Sequence, residues 1–167
     1  TAKKGIDIEL FIIGKQTLNI SQEISFRKVS KRILKDPNIF LTGFLDNIER
    51  DKLLRSADCL ILMRPPCNET SYLFPTRLPE YFATGVPVIL TNTVPFSQYF
   101  NHKDEVYFIS EKNSPIDLSN AFIELYNNPK LAEMIGSNGR RFAEFNYSSE
   151  KIGKRISEFL NHINLNK

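Results

Sequence analysis

The stretch Pro75-Thr-Arg-Leu-Pro-Glu80-Tyr-Phe-Ala-Thr-Gly85-Val-Pro-Val-Ile-Leu90 constrains the fold of this chain more than any other. It reads as loop, helix and buried strand in immediate succession. Pro75 suits the first turn of a helix, where a missing N–H costs nothing, and Gly85 suits the position just past its end. Val86 to Leu90 is a short apolar run of the kind that a strand buried on both faces requires. Glu69 lies eleven residues before Glu80, so the two carboxylates bracket the helix start, where α/β sheets collect anionic ligands.

The same alternation runs along the chain. Strand signals at Ile8 to Ile13, Ile39 to Thr42, Cys59 to Met63, Val86 to Leu90 and Val106 to Ile109 are separated by helical segments, which predicts an α/β fold with a doubly wound parallel sheet. Asp46 and Glu49 form a capping-box start, with Leu53, Leu54 and Ala57 on the inward face of the next helix. After the last strand the pattern becomes helical. Ser114-Pro115 starts one helix, carrying Leu118, Phe122 and Leu125 at helical spacing, and Asn128-Pro129 restarts the chain. Gly136 and Gly139 are expected to punctuate the segment beyond it. Ser148 or Ser149 caps a final amphipathic helix whose stripe of Ile152, Ile156, Phe159, Leu160 and Ile163 is expected to pack on its own sheet.

Composition narrows the class. A length of 167 residues with 41% hydrophobic content supports one domain over residues 1–167. The net charge of +3 gives no dominant field of the sort a dedicated nucleic-acid binder carries. Two cysteines do not make a disulfide framework, which favours a reducing cytoplasm. Cys59 reads as core filler and Cys67 as a loop thiol. His102 and His162 stand apart in polar settings, and no Cys/His cluster suggests a metal. No GxGxxG follows a strand, so a dinucleotide site has little support.

The order P-x-[KR]-x-x-E-Y-x-A-[ST]-G-x-P-V-I resembles the donor-binding half of the retaining, two-domain GT-B glycosyltransferases of the group 1 or family 4 type. Gly43-Phe44-Leu45 with Leu53, Leu54, Ala57 and Asp58, then Asn128-Pro129 to Phe145, come in the family's order. The resemblance covers nearly the whole chain. It implies a Rossmann-like C-terminal half of a GT-B fold with a helical C-terminal region, lacking the first βα unit and the N-terminal acceptor domain. The chain is then a nucleotide-sugar-binding fragment of a larger enzyme, inactive alone. The full-length enzyme would transfer a hexose-type sugar, with retention and without metal or other cofactor, to a glycan or lipid-linked acceptor. That places it in polysaccharide biosynthesis, in the cytoplasm or at the inner face of the cell membrane as a peripheral protein.

The resemblance also assigns roles. Glu80 would hold the ribose hydroxyls, since a charge-assisted hydrogen bond is stronger than a neutral one. Glu69 would touch the donor-sugar hydroxyls as the catalytic carboxylate, although its spacing from Glu80 is longer than the family's usual one. Between them Tyr72, Leu73 and Phe74 would line the sugar. The helix start at Pro75, Thr76 and Arg77, together with Arg64 beyond the third strand, would face the diphosphate. Gly14 and Lys15 resemble the family's glycine-containing loop, and Gly43 with Phe44 would approach the base. Two alternatives remain: a non-catalytic nucleotide- or protein-binding module of the same fold, or a sugar-nucleotide epimerase.

Overall fold

In a computed structural model, which describes residues 5–14, 33, 35–64, 74–110, 112 and 115–165, strands and helices alternate as expected, forming parallel sheets flanked by helices. The chain divides between Leu53 and Leu54 into two compact units.

In the first unit, β1 (Leu10–Ile13) and β2 (Ile39–Gly43) pair in parallel, Leu10 opposite Ile39. The rings of Phe11 and Phe40 stack with centroids 4.8 Å apart. Helix α1 (Asn47–Ser56) begins here. Its capping box is formed in full: Asp46 Oδ1 accepts from the N–H groups of Ile48 and Glu49, both at 2.8 Å, and Asp46 N–H donates to Glu49 Oε2 at 3.1 Å.

The second unit holds a parallel sheet in the order β3 (Leu60–Leu62), β4 (Val88–Thr91), β5 (Tyr107–Ile109). Every residue of the central strand β4 is buried, as its apolar run requires. Around the sheet run α2 (Arg77–Thr84), the short α3 (Val94–Ser97), α4 (Pro115–Asn127), α5 (Pro129–Tyr147) and α6 (Ser149–Leu165). One core joins Ile89, Tyr107 and Ile109 to Ala121 and Leu125 of α4 and Ile135 of α5. Cys59 packs against it, and burial, helped by the charge of Asp58, pushes its thiol up to about 11. It is a small apolar filler. A second, aromatic core sets Phe100 edge-on to both Phe82 and Phe142, at 5.3 and 5.0 Å between centroids.

Two expectations fail. Gly136 and Gly139 do not break the chain; both are buried inside the continuous helix α5, which Asn128 caps by accepting from Leu131 N–H. Packing overrides local propensity there. A Cβ on Gly136 would lie 2.0 Å from the carbonyl oxygen of Gly85, and one on Gly139 would lie 2.9 Å from Phe82 Cδ1. The final stripe does not pack on the sheet either, for residues 151–163 of α6 are exposed throughout. The reason is that α5 already occupies its sheet and α2 with Ile135, Gly136, Gly139 and Ala143. Ser148 then takes an extended conformation that ends α5. Helix α6 is tied back to α5 at their junction, where Lys151 Nζ sits over the Phe145 ring and Arg155 donates to the Asn146 carbonyl.

The outer side of β5 is closed by a polar cluster. Phe108 N–H donates to His102 Nδ1 at 3.0 Å, so the imidazole is neutral there with its proton on Nε2. Tyr107 donates to Glu124 at 2.6 Å, and Lys103 pairs with the same carboxylate. Hydrogen bonds from Lys103 and Tyr107 hold the Glu124 carboxyl below its usual range. Burial, then the Lys103 charge, lowers the pKa of His102 despite the opposing pull of Glu124.

Replacing Gly136 with Ala is expected to cost about 3 kcal/mol or more by overpacking, read as a lower urea midpoint. By contrast, Gly153→Ala in α6, where a Cβ meets nothing within 4 Å, should gain about 0.5–1 kcal/mol from helix propensity. A second expectation concerns pH. Because the folded pKa of His102 is lowered from 6.5, its unfolded form takes up a proton first as pH falls below that value. Stability should therefore decline from pH 7 towards pH 5, and less steeply in His102→Gln, as followed by denaturant midpoints.

Candidate functional site

The segment most legible in the sequence, Pro75 to Leu90, folds as α2 and β4. The helix starts two residues later than expected, at Arg77, with Thr76 at its N-cap but making no side-chain capping bond. The reason lies in Pro79, which occupies the third helical position, where a missing N–H is tolerated. Leu78 N–H is used by the Pro75 carbonyl at 3.0 Å. The first turn therefore offers an anion fewer main-chain donors than a generic helix start would. More of the charge must be met by side chains.

Arg77 is exposed in this first turn, and Glu80, half-buried, follows one turn along. Residues three apart are neighbours on a helix surface, so a cation and a carboxylate share one end of α2. The other end is fixed firmly. Gly85 takes the left-handed conformation at φ 79° and its N–H donates to the Phe82 carbonyl. Thr84 Oγ1 donates to Tyr81 O at 2.6 Å and accepts from Val86 N–H at 3.1 Å. Arg55 Nη1 donates to the Thr84 carbonyl, a favourable place for a cation.

Phe74 is tied into the protein rather than held out. Its ring meets Phe96 edge-on at 6.2 Å and Tyr147 at 5.8 Å, although 39% of it stays exposed. Arg64 leaves the end of β3 with its N–H donating to Thr91 Oγ1 at 3.0 Å. In the first unit Gly14 and Gly43 come together, Gly14 N–H donating to the Gly43 carbonyl at 2.9 Å. Phe44 beside them is 86% exposed, so it does not pack beneath the following helix. Lys15, Glu69, Tyr72 and Leu73, with Cys67, lie outside the described residues.

Sequence reasoning missed Thr91 and Thr93. Both are buried at the carboxyl end of β4, and the Thr93 hydroxyl has no hydrogen-bond partner among the described residues. In an apolar run a threonine reads as strand filler, and only the fold shows where its hydroxyl goes. No group of three or more His, Cys, Asp or Glu among the described residues is arranged to hold a metal ion.

Residues 1–142 match the family model described as glycosyl transferases group 1. No curated protein sequence matches the chain. Among solved structures, Anabaena HepE in complex with UDP-glucose superposes with a TM-score of 0.71 at 16% identity, over 92% of this chain and 41% of that one. Sucrose-phosphate synthase from Thermosynechococcus elongatus gives 0.74 at 17% identity, over 95% and 39%. The chain thus spans about 40% of the length of these proteins. The C-terminal domain of LpcC, a glycosyl transferase group 1 family protein from Francisella tularensis, gives 0.63 at 17% identity, over 89% and 91%. These likenesses establish the fold.

Because Gly85 has φ 79° and a Cβ there would make only ordinary contact with Arg140 Cδ at 3.6 Å, Gly85→Ala isolates backbone strain. It should cost about 1–2 kcal/mol, less than Gly136→Ala, as measured by urea denaturation of the two variants side by side.

Proposed function

Because the chain belongs to the group 1 glycosyl transferases, we propose that it is the donor-binding half of an enzyme that transfers a sugar from a nucleotide sugar to a glycan, lipid-linked or other acceptor. The observation that carries the reading is the placing of Glu80 and Arg77 in the first turn of α2, directly before the fully buried strand β4. Ligands of open α/β sheets gather beyond the carboxyl ends of the strands, at helix starts such as this one.

In the proposed site Glu80 accepts hydrogen bonds from the two ribose hydroxyls, fixing the nucleoside. Arg77 and Arg64 meet the diphosphate, whose negative charge grows as the bond to the sugar breaks. The scarcity of main-chain donors caused by Pro79 gives the guanidinium groups the larger share of that work. Arginine suits it, because its planar fork pairs with two phosphate oxygens at once. Glu69, Tyr72, Leu73 and Phe74 are assigned to the sugar, and Gly14, Lys15, Gly43 and Phe44 to the phosphates and base. Transfer is proposed to proceed with retention, to use a hexose-type donor and to need no metal. The acceptor is proposed to bind a part of the enzyme other than this chain, in keeping with relatives more than twice its length.

HepE has been solved with UDP-glucose, which makes uridine nucleotides the first probes. Isothermal calorimetry of the 167-residue chain with UDP, GDP and ADP is expected to show binding to at least one. Glu80→Ala should weaken that binding roughly tenfold or more, the worth of hydrogen bonds to a charged group. Unchanged affinity in this variant would refute the assignment of Glu80.

A further inference from the structure

The carboxyl end of β4 carries an exchange of a side-chain acceptor for a main-chain one. Strands β3 and β4 run parallel with Leu60, Ile61 and Leu62 opposite Val88, Ile89 and Leu90. Leu60 N–H donates to the Pro87 carbonyl at 2.9 Å. A parallel ladder repeats such bonds every second residue along both strands, and two steps of that kind bring Arg64 N–H to the carbonyl of Thr91. The Arg64 N–H meets Thr91 Oγ1 instead, at 3.0 Å. Thr91 is wholly buried, and its strand partner at this point is Ile109 of β5.

The hydroxyl therefore marks where β3 stops. Were it a methyl group, the shape and strand preference of the side chain would hardly change, since valine and threonine are both β-branched. The part-buried N–H of Arg64 would then lose that acceptor, and the Thr91 carbonyl is the next one that the ladder offers it. Extending the ladder to Arg64 places that residue in strict strand alternation, on the face of Leu62. With the hydroxyl as acceptor, Arg64 lies beyond the end of β3 with its N–H held by Thr91 Oγ1.

We propose that Thr91 is a positioning residue of the nucleotide-sugar site: its hydroxyl ends the β3–β4 ladder at Arg64 and thereby sets how the Arg64 guanidinium is presented to the diphosphate of the donor. This rests on the assignment of Arg64 to the diphosphate in the proposed function. Thr91 itself touches no ligand in this scheme. Its effect is confined to the phosphates and depends on Arg64 being an arginine.

The test uses Thr91→Val, Thr91→Ser and Arg64→Ala in the full chain, with calorimetry against whichever of UDP, GDP and ADP the wild type binds best, and against the matching phosphate-free nucleoside. Thr91→Val is expected to weaken the diphosphate about tenfold while leaving the nucleoside within twofold. Thr91→Ser, which keeps the hydroxyl, should restore wild-type affinity. In an Arg64→Ala background, Thr91→Val should have no further effect. A merely structural role would weaken nucleoside and diphosphate alike and would add to Arg64→Ala, and that result overturns the proposal. So does wild-type affinity in Thr91→Val. If the wild-type chain binds none of the three diphosphates, the functional reading falls first and the positioning role with it. If Thr91→Val does not fold, Thr91→Ala, which also removes the hydroxyl, takes its place in the same comparison, and the same outcomes support or overturn the proposal.

Discussion

The approach of α5 to the turn that ends α2 is the contact on which the rest of the second unit depends. Main chain meets main chain there, at a distance that leaves no room for even one methyl group on Gly136. Because the turn is pinned by α5 on one side and by the left-handed Gly85 within it, the two elements it joins have fixed positions. One is β4, the fully buried centre of the sheet. The other is α2, whose far end carries Arg77 and Glu80. Protein interiors are packed as densely as organic crystals and transmit displacement rather than absorb it. A shift at Gly136 is thus a shift of the candidate site, although no residue of α5 is assigned to it.

The polar contacts around the sheet arise from the same economy of space. Near each end of β4 a threonine hydroxyl accepts from a neighbouring main-chain N–H. Thr84 Oγ1 holds Val86 N–H at the entry and Thr91 Oγ1 holds Arg64 N–H at the exit. At the outer strand, His102 does the same for Phe108. Main-chain groups need partners where a ladder stops, and in this unit a threonine hydroxyl or a neutral histidine supplies them to part-buried and exposed N–H groups. These substitutions of side chain for main chain let strands as short as β3 and β5 form a sheet with defined ends.

Local signals were legible in the sequence and long-range ones were not. Asp46 with Glu49 and Asn128 with Pro129 gave true helix starts, because capping is settled within a few residues of chain. The apolar run before Leu90 gave the buried strand for the same reason. Gly136 and Gly139 misled, since propensity treats glycine as a break while the fold uses its small size against a carbonyl far away in sequence. Pro79 went unread because its tolerance depends on where the helix begins. Arg64 beyond the end of β3 and Arg77 with Glu80 at the start of α2 were legible as positions, whereas the bond from Arg64 N–H to Thr91 Oγ1 required the register of two strands. Nothing in the local pattern distinguishes a threonine that packs from one that accepts a hydrogen bond.

The stripe on α6 has a colloidal consequence as well as a structural one. Ile152, Ile156, Phe159, Leu160 and Ile163 are each exposed by 41–64% along one side of a single helix, which makes α6 an amphiphile. Contiguous apolar surface of this kind is drawn to interfaces of any sort. On chromatographic media, at the air–water boundary and at high concentration, α6 accordingly offers a continuous apolar stripe for adsorption and self-association.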